Sequence, residues 1–374
     1  MAGIYIHIPF CKSRCIYCGF YSTTNLNIRQ QYVNALCKEM ALRKNYIDES
    51  ISTIYIGGGT PSLLTEGELK TIFEHIYNLF VINDNNEITI ECNPDDITDN
   101  FANILRELPV NRVSMGAQTF NNARLKFLQR RHNAEEIKQA VQTLRKENIK
   151  NISLDLMFGF PYETLEEWLE DINQAISLDV EHISAYSLMY EEGTPLTAML
   201  KSNKIKDINE ELSLDMYESL VSRLKSVGYE HYEISNFARP GFRSRHNSSY
   251  WLQVPYIGIG AAAHSFDIKS RQYNVSDINR YISQINNGII PMERELLNND
   301  TIFNDIITTT LRTSEGIDLQ KLSSKLGKSY ANHLTHNAAN YISEGLMEIY
   351  NHHIRLTYKG ILISDTIMSD LMIV

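Results

Sequence analysis

Cysteine is scarce in this chain: five in 374 residues. That number cannot staple a fold of this length, so a disulfide scaffold is excluded. Long apolar runs are missing as well. No stretch approaches the roughly 18 uncharged residues that span a bilayer, so an integral membrane protein is not expected. Positive charge is in deficit, with 35 Lys and Arg against 45 Asp and Glu, a net of -10. A protein that coats nucleic acid needs a cationic surface to displace counterions, so that class is set aside. Neither a basic leader nor a small-residue cleavage site precedes the first alternating run after Met1. The chain is read as mature and cytoplasmic.

What is present is a rhythm. Up to about residue 237, short runs rich in Ile, Val and Tyr alternate with longer amphipathic runs. Strands are expected at Ile4–Ile8, Thr53–Ile56, Ile88–Cys92, Arg112–Gly116, Ile152–Phe158 and Ile183–Met189. Helices are expected at Ile28–Arg43, Glu66–Leu79, Ala134–Lys146, Leu165–Leu178 and Glu210–Val227. Serial β-α units predict a parallel sheet with right-handed crossovers, so the fold class is α/β. Nearly continuous apolar strands such as "ISLDLMF" suit a sheet covered on both faces. Periodicity leaves a full eight-fold barrel and an open six-unit barrel both standing. Residues 238–298 break the rhythm with a Gly-, Arg- and aromatic-rich passage, read as a structured connector. Residues 299–374 read as short helices, two β-like runs and a last helix, a small winged-helix-like unit.

Three of the five cysteines, Cys11, Cys15 and Cys18, crowd into "FCKSRCIYCGF". In a cytosolic protein such a cluster binds metal or does redox work. A structural zinc site takes four ligands, and His7 is the one nearby candidate for the fourth. Three thiolates on one loop suit a [4Fe-4S] cluster with one iron left open. Cys37, in a helical run, and Cys92, at a strand end, read as buried packing thiols. C-x3-C-x2-C, with Tyr17 before the last cysteine and a first strand just ahead, resembles the radical SAM superfamily. That resemblance implies a partial (β/α)6 barrel whose open iron binds S-adenosylmethionine (SAM). In the superfamily, one-electron reduction cleaves SAM to a 5′-deoxyadenosyl radical, the cofactor carrying the hard chemistry.

"YIGGGTPS" ends the second strand, and glycines there let backbone approach a ligand. Later strands end in Glu91, Gln118 and Asp155, polar groups at the rim where a β/α barrel presents its site. A charge in an otherwise apolar strand carries a burial cost unless it is paired. "YIHIPFC", "GGGTPS", "RVSMGAQTF", "LQRRH" and "DLMFGFP" together resemble one branch, the oxygen-independent coproporphyrinogen dehydrogenases and the HemW-like heme chaperones, over nearly the whole chain. This implies a HemN-type C-terminal domain for the winged-helix-like tail. By the same likeness Tyr5, Gly58 and Glu91 contact the SAM on the cluster. Tyr17, Gly59, Thr60, Gln118, Arg130 and Asp155 match positions that contact a second SAM in the dehydrogenases.

Two features separate the two groups. The dehydrogenase motif continues to a fourth cysteine, where this chain has Phe20. The dehydrogenases also carry an extension ahead of the first strand, and here the strand begins at once. "HNSSYW", His246 to Trp251, matches a segment typical of the chaperone side. The resemblance therefore implies heme as ligand and apo-hemoprotein acceptors as partners, and it leaves open a homodimer. A neutral imidazole can ligate heme iron, which makes His246 the candidate ligand. His231, His264 and the His352–His353 pair are weaker ones. Coproporphyrinogen dehydrogenation or another radical reaction is the alternative function.

Overall fold

A computed structural model describes residues 1–373. Its strands are β1 (Ala2–Ile8), β2 (Ile51–Gly58), β3 (Ile82–Cys92), β4 (Arg112–Gln118), β5 (Asn151–Phe158), β6 (His182–Ser187), β7 (Glu230–Glu233), β8 (Asn236–Ala238), β9 (Tyr256–Ile259), β10 (His264–Phe266), β11 (Ser270–Asn274) and β12 (Met292–Leu296). They form one sheet in the order β12-β11-β10-β9-β1-β2-β3-β4-β5-β6-β8-β7. From β9 to β6 every pairing is parallel. The sheet ends at β12 and β7 instead of closing, which decides between the two barrels in favour of the open one.

The expected strands lie where the apolar runs placed them. β3 starts six residues earlier than Ile88, in the polar "INDNNE". β6 stops at Ser187, two residues before Met189. Three of the barrel helices begin where side chains satisfy the first turn. Thr65 with Glu68, Asn133 with Glu136 and Thr164 with Glu167 each close a reciprocal capping box.

Strand burial locates the ligand-facing side. β1, β2 and β5 are buried along nearly their whole lengths, yet each has a half-buried residue within it: Tyr5, Tyr55 and Asp155. All three lie on the concave side, away from the covering helices.

Residues 238–298 continue the sheet past β1. Tyr256–Ile259 pairs in parallel with Gly3–Ile6. The join is a buried ionic knot. Glu39, fully buried on the helix Arg29–Leu42, accepts hydrogen bonds from Tyr281 (2.6 Å), the Gly260 amide (2.8 Å), Asn274 (2.8 Å) and Arg43 (3.0 Å). Arg43 in turn donates to the Gly258 carbonyl at 2.8 Å and to Ser265 at 2.9 Å.

The C-terminal region has its own core around Phe303, Leu311, Leu334, Met347, Ile354 and Ile367. β13 (Ile317–Asp318), β14 (Met347–Tyr350) and β15 (His353–Leu356) form its antiparallel sheet, in the order β13-β15-β14. It docks on the β7 edge of the large sheet. Ile234 donates to the Arg312 carbonyl at 3.1 Å, Ser314 donates to the Tyr232 carbonyl at 3.0 Å, and the Arg312 guanidinium lies over Trp251. Among the described residues no helix is long and apolar enough to cross a membrane.

Removing one member of a buried ion pair leaves the other charged and unpaired. Glu39→Ala is therefore expected to cost about 3 to 5 kcal/mol, read as a lower urea midpoint.

Candidate functional site

The loops after β1 to β4 meet around one cavity of about 610 Å³. The cysteine loop is the first wall. Main-chain bonds hold it: Cys11 N–H to the Thr23 carbonyl (3.0 Å), Thr23 N–H to the Pro9 carbonyl (2.7 Å) and Ile16 N–H to the Leu128 carbonyl (3.3 Å). Ile16 inserts into a small apolar cluster with Leu128, Phe160 and Leu196. Lys12, between the first two cysteines, is held by Asp96 at 3.0 Å, and Arg131 braces both Asp95 and Asp96 at 2.8 Å.

Cys11, Cys15 and Cys18 all line the cavity. Among the described residues no three His, Cys, Asp or Glu side chains converge closely enough for a single ion. Burial raises the Cys11 and Cys18 thiols. Two donors face the sulfurs: Thr60 Oγ1 lies 3.6 Å from Cys11 Sγ, and Arg130 Nη1 lies 3.5 Å from Cys15 Sγ. Arg130 is fixed by Asn93 (2.8 Å) and the Gly116 carbonyl (2.6 Å), and its Nε is buried without a partner. Three thiols, a guanidinium and hydroxyl donors fit an iron–sulfur cluster. His7 does not complete a zinc site. Its Nδ1 lies 3.0 Å from the Tyr5 hydroxyl and its Nε2 lies 3.0 Å from the Tyr21 carbonyl.

The glycine run makes the second wall, and packing demands it. A Cβ on Gly57 would stand 2.8 Å from Glu91, one on Gly58 2.4 Å from the His7 ring, and one on Gly59 2.7 Å from the Ile8 carbonyl oxygen. Gly58 also has φ +110°, which L side chains rarely adopt. This close approach lets the Gly58 N–H donate to Glu91 at 2.9 Å, while Tyr55 donates to the other carboxylate oxygen at 2.7 Å.

Deeper in, Glu91, Ser114, Asp155 and Ser184 line the floor. Burial raises Glu91, against the two hydrogen bonds it accepts. Burial, then the Glu91 charge, pushes Asp155 from its ordinary 3.8 up to about 7. Gln118 ends β4 with φ +67° and also faces the cavity.

Of the residues expected from sequence, the cavity gathers Cys11, Cys15, Cys18, Tyr17, Gly58, Gly59, Thr60, Glu91, Gln118, Arg130 and Asp155. Tyr5 lies outside its lining, tied to His7. His246 lies outside it too. It is 1% exposed, with Nδ1 2.8 Å from Thr53 Oγ1, Nε2 2.8 Å from the Tyr250 hydroxyl, and its ring stacked on Tyr55. Burial pushes it down to about 3, so it is neutral, but neither ring nitrogen is free to ligate iron. Sequence reasoning missed Tyr55, Asn93, Ser114 and Ser184. Counting in twos along the strands from Glu91 and Asp155 marks the residues that share their face, and cross-strand register then leads from Glu91 to Ser114 and from Asp155 to Ser184.

Comparison with known proteins follows the same lines. The radical SAM superfamily profile matches residues 5–175, and the HemN C-terminal domain profile matches residues 297–363. The heme chaperone HemW of Bacillus subtilis is 34% identical over 98% of both chains. That of Lactococcus lactis is 31% identical over 99% of this chain and 97% of its own. The structure of Escherichia coli coproporphyrinogen III oxidase (HemN), a radical SAM enzyme, superposes with a TM-score of 0.85 at 22% identity, covering 99% of this chain and 89% of that one. This last likeness bears on the fold.

Asp155 is disfavoured as a carboxylate in the folded chain. That cost is absent below about pH 4, grows as pH rises toward 7 and is complete above it. Asp155→Asn should therefore gain stability relative to the parent between pH 5 and pH 8. Urea melts of the cofactor-free chain at the two pH values would show it, and an unchanged difference would refute it.

Proposed function

The chain belongs to the radical SAM superfamily and, within it, to the family of the heme chaperone HemW, and from that premise we propose that it binds heme and passes it to apo-hemoproteins. The observation that carries this reading is the full-length relationship: barrel, connecting strands and C-terminal domain all align with proteins named for that activity. Phe20, at the place of the dehydrogenases' fourth cysteine, agrees with it.

The family implies a [4Fe-4S] cluster and SAM. In our reading Cys11, Cys15 and Cys18 are its thiolate ligands. When bound, the cluster supplies an iron corner open to a small chelating molecule and a one-electron couple. Around that corner the chain's own groups do the holding. The Gly58–Thr60 backbone forms a cradle that no Cβ obstructs. Glu91, kept in place by Tyr55 and Gly58, is an acceptor for an ammonium group. Gln118, Arg130 and Asp155 offer one carbonyl, one guanidinium and one carboxylate toward the rest of a nucleoside ligand. The apolar cluster under Ile16 keeps water from the inner side of the loop.

The test is anaerobic reconstitution, iron and sulfide analysis, then hemin titration followed at the Soret band and transfer to an apo-hemoprotein. Saturable binding with transfer is expected. Conversion of coproporphyrinogen III to the divinyl product, given SAM and reductant, would overturn the chaperone reading. Cys15→Ser should lose most of the cluster iron while the far-UV spectrum stays that of the parent.

A further inference from the structure

His246 is buried with both ring nitrogens hydrogen-bonded, so it offers heme no open axial position. Resting on the heme-binding reading above, we infer that the macrocycle docks at the mouth of the cofactor cavity, on Phe20, Tyr186 and Met189, with a propionate on Arg14.

Three large apolar side chains stand open at that mouth. Phe20 is 69% exposed, Met189 65% and Tyr186 40%, and all three line the cavity. They come from separate elements: the cysteine loop, the end of β6 and the loop that follows it. Single exposed apolar residues are ordinary, but three of them on the lining of one cavity mark a binding surface. An aromatic ring and a thioether are suited to the face of a planar macrocycle.

Charge at the mouth selects the ligand further. Arg14 lines the cavity and makes no ion pair among the described residues. Its neighbour Lys12 is already neutralised by Asp96. A free guanidinium beside an apolar rim suits a flat apolar body with carboxylate arms, which it can hold bidentately. Glu191, on the same rim, lies with its aliphatic carbons against Gly19 and bounds the surface on that side.

The competing places are closed or already satisfied. His246 has both ring nitrogens engaged beneath the floor of the barrel. A second cavity, of about 560 Å³, opens between the barrel and the C-terminal region. Its Arg243 is paired with Glu230 and Glu315, and its Arg245 donates through Nη1 to the Asn85 carbonyl. A propionate reaching Arg243 there would have to displace a partner.

The experiment is a hemin titration of cluster-loaded full-length protein, with iron content and SAM binding measured on each variant. Met189→Ser and Arg14→Glu stand outside the thiol ligands, and combining them should weaken heme binding about tenfold or more. Phe20→Ser should act in the same direction. His246→Gln, with SAM binding intact, should stay within about twofold of the parent. A parent that binds heme while the rim variants bind equally well sinks this inference and leaves the chaperone reading standing. Loss of binding in His246→Gln alone does the same. A parent without saturable heme binding removes both.

Discussion

Everything at the cofactor cavity depends on how closely the end of β2 lies against the end of β1. Side chains at Gly57, Gly58 and Gly59 would collide with Glu91, His7 and the Ile8 carbonyl. With hydrogen in their place, the turn sits under the cysteine loop and turns the Gly58 N–H toward Glu91. That carboxylate is thereby held at both oxygens, by Tyr55 and by the Gly58 amide. Close contact between two β-α turns thus holds a fixed carboxylate in the same cavity that the three thiols line.

A second buried arrangement supports the first from outside the sheet. Glu39 and Arg43 sit on the helix that follows the cysteine loop and bind the backbone and side chains of residues 258–274. The strands beyond β1 are therefore anchored to the same helix that packs behind β1. On the opposite edge the C-terminal region covers β7 through main-chain bonds and the Arg312–Trp251 contact. The short helix Arg245–Trp251 connects the two sides. Glu87 accepts from the amides of Arg245 and His246 at its start, and the Trp251 carbonyl accepts from Thr310 at its end. His246 on this helix stacks on Tyr55, which donates to Glu91.

Local pattern was enough for much of this. Apolar runs of period two, capping residues ahead of amphipathic runs and three thiols at fixed spacing are statements about neighbours in the chain. They led to the parallel sheet, the cysteine loop, and Glu91 and Gln118 at strand ends, while Asp155, expected at a strand end as well, lies inside β5 with three strand residues after it. The passage 238–298 resisted that reading because its strands are short and β9, which joins them to the sheet, pairs with β1, about 250 positions away. No local periodicity encodes such a partner.

Whether a side chain is free is likewise a tertiary matter. His246 and His7 looked like ligands in the sequence, since an imidazole beside aromatics or cysteines has that chemistry. Only the packed structure brought Thr53 and Tyr250 to one ring, and Tyr5 and the Tyr21 carbonyl to the other. The sequence alone determined which donors the chain possesses and the order of its strands, because spacing and periodicity are written in the chain itself. The tertiary structure decided which donors face the cavity and which are spent on one another, because hydrogen-bond partners are chosen by proximity in space.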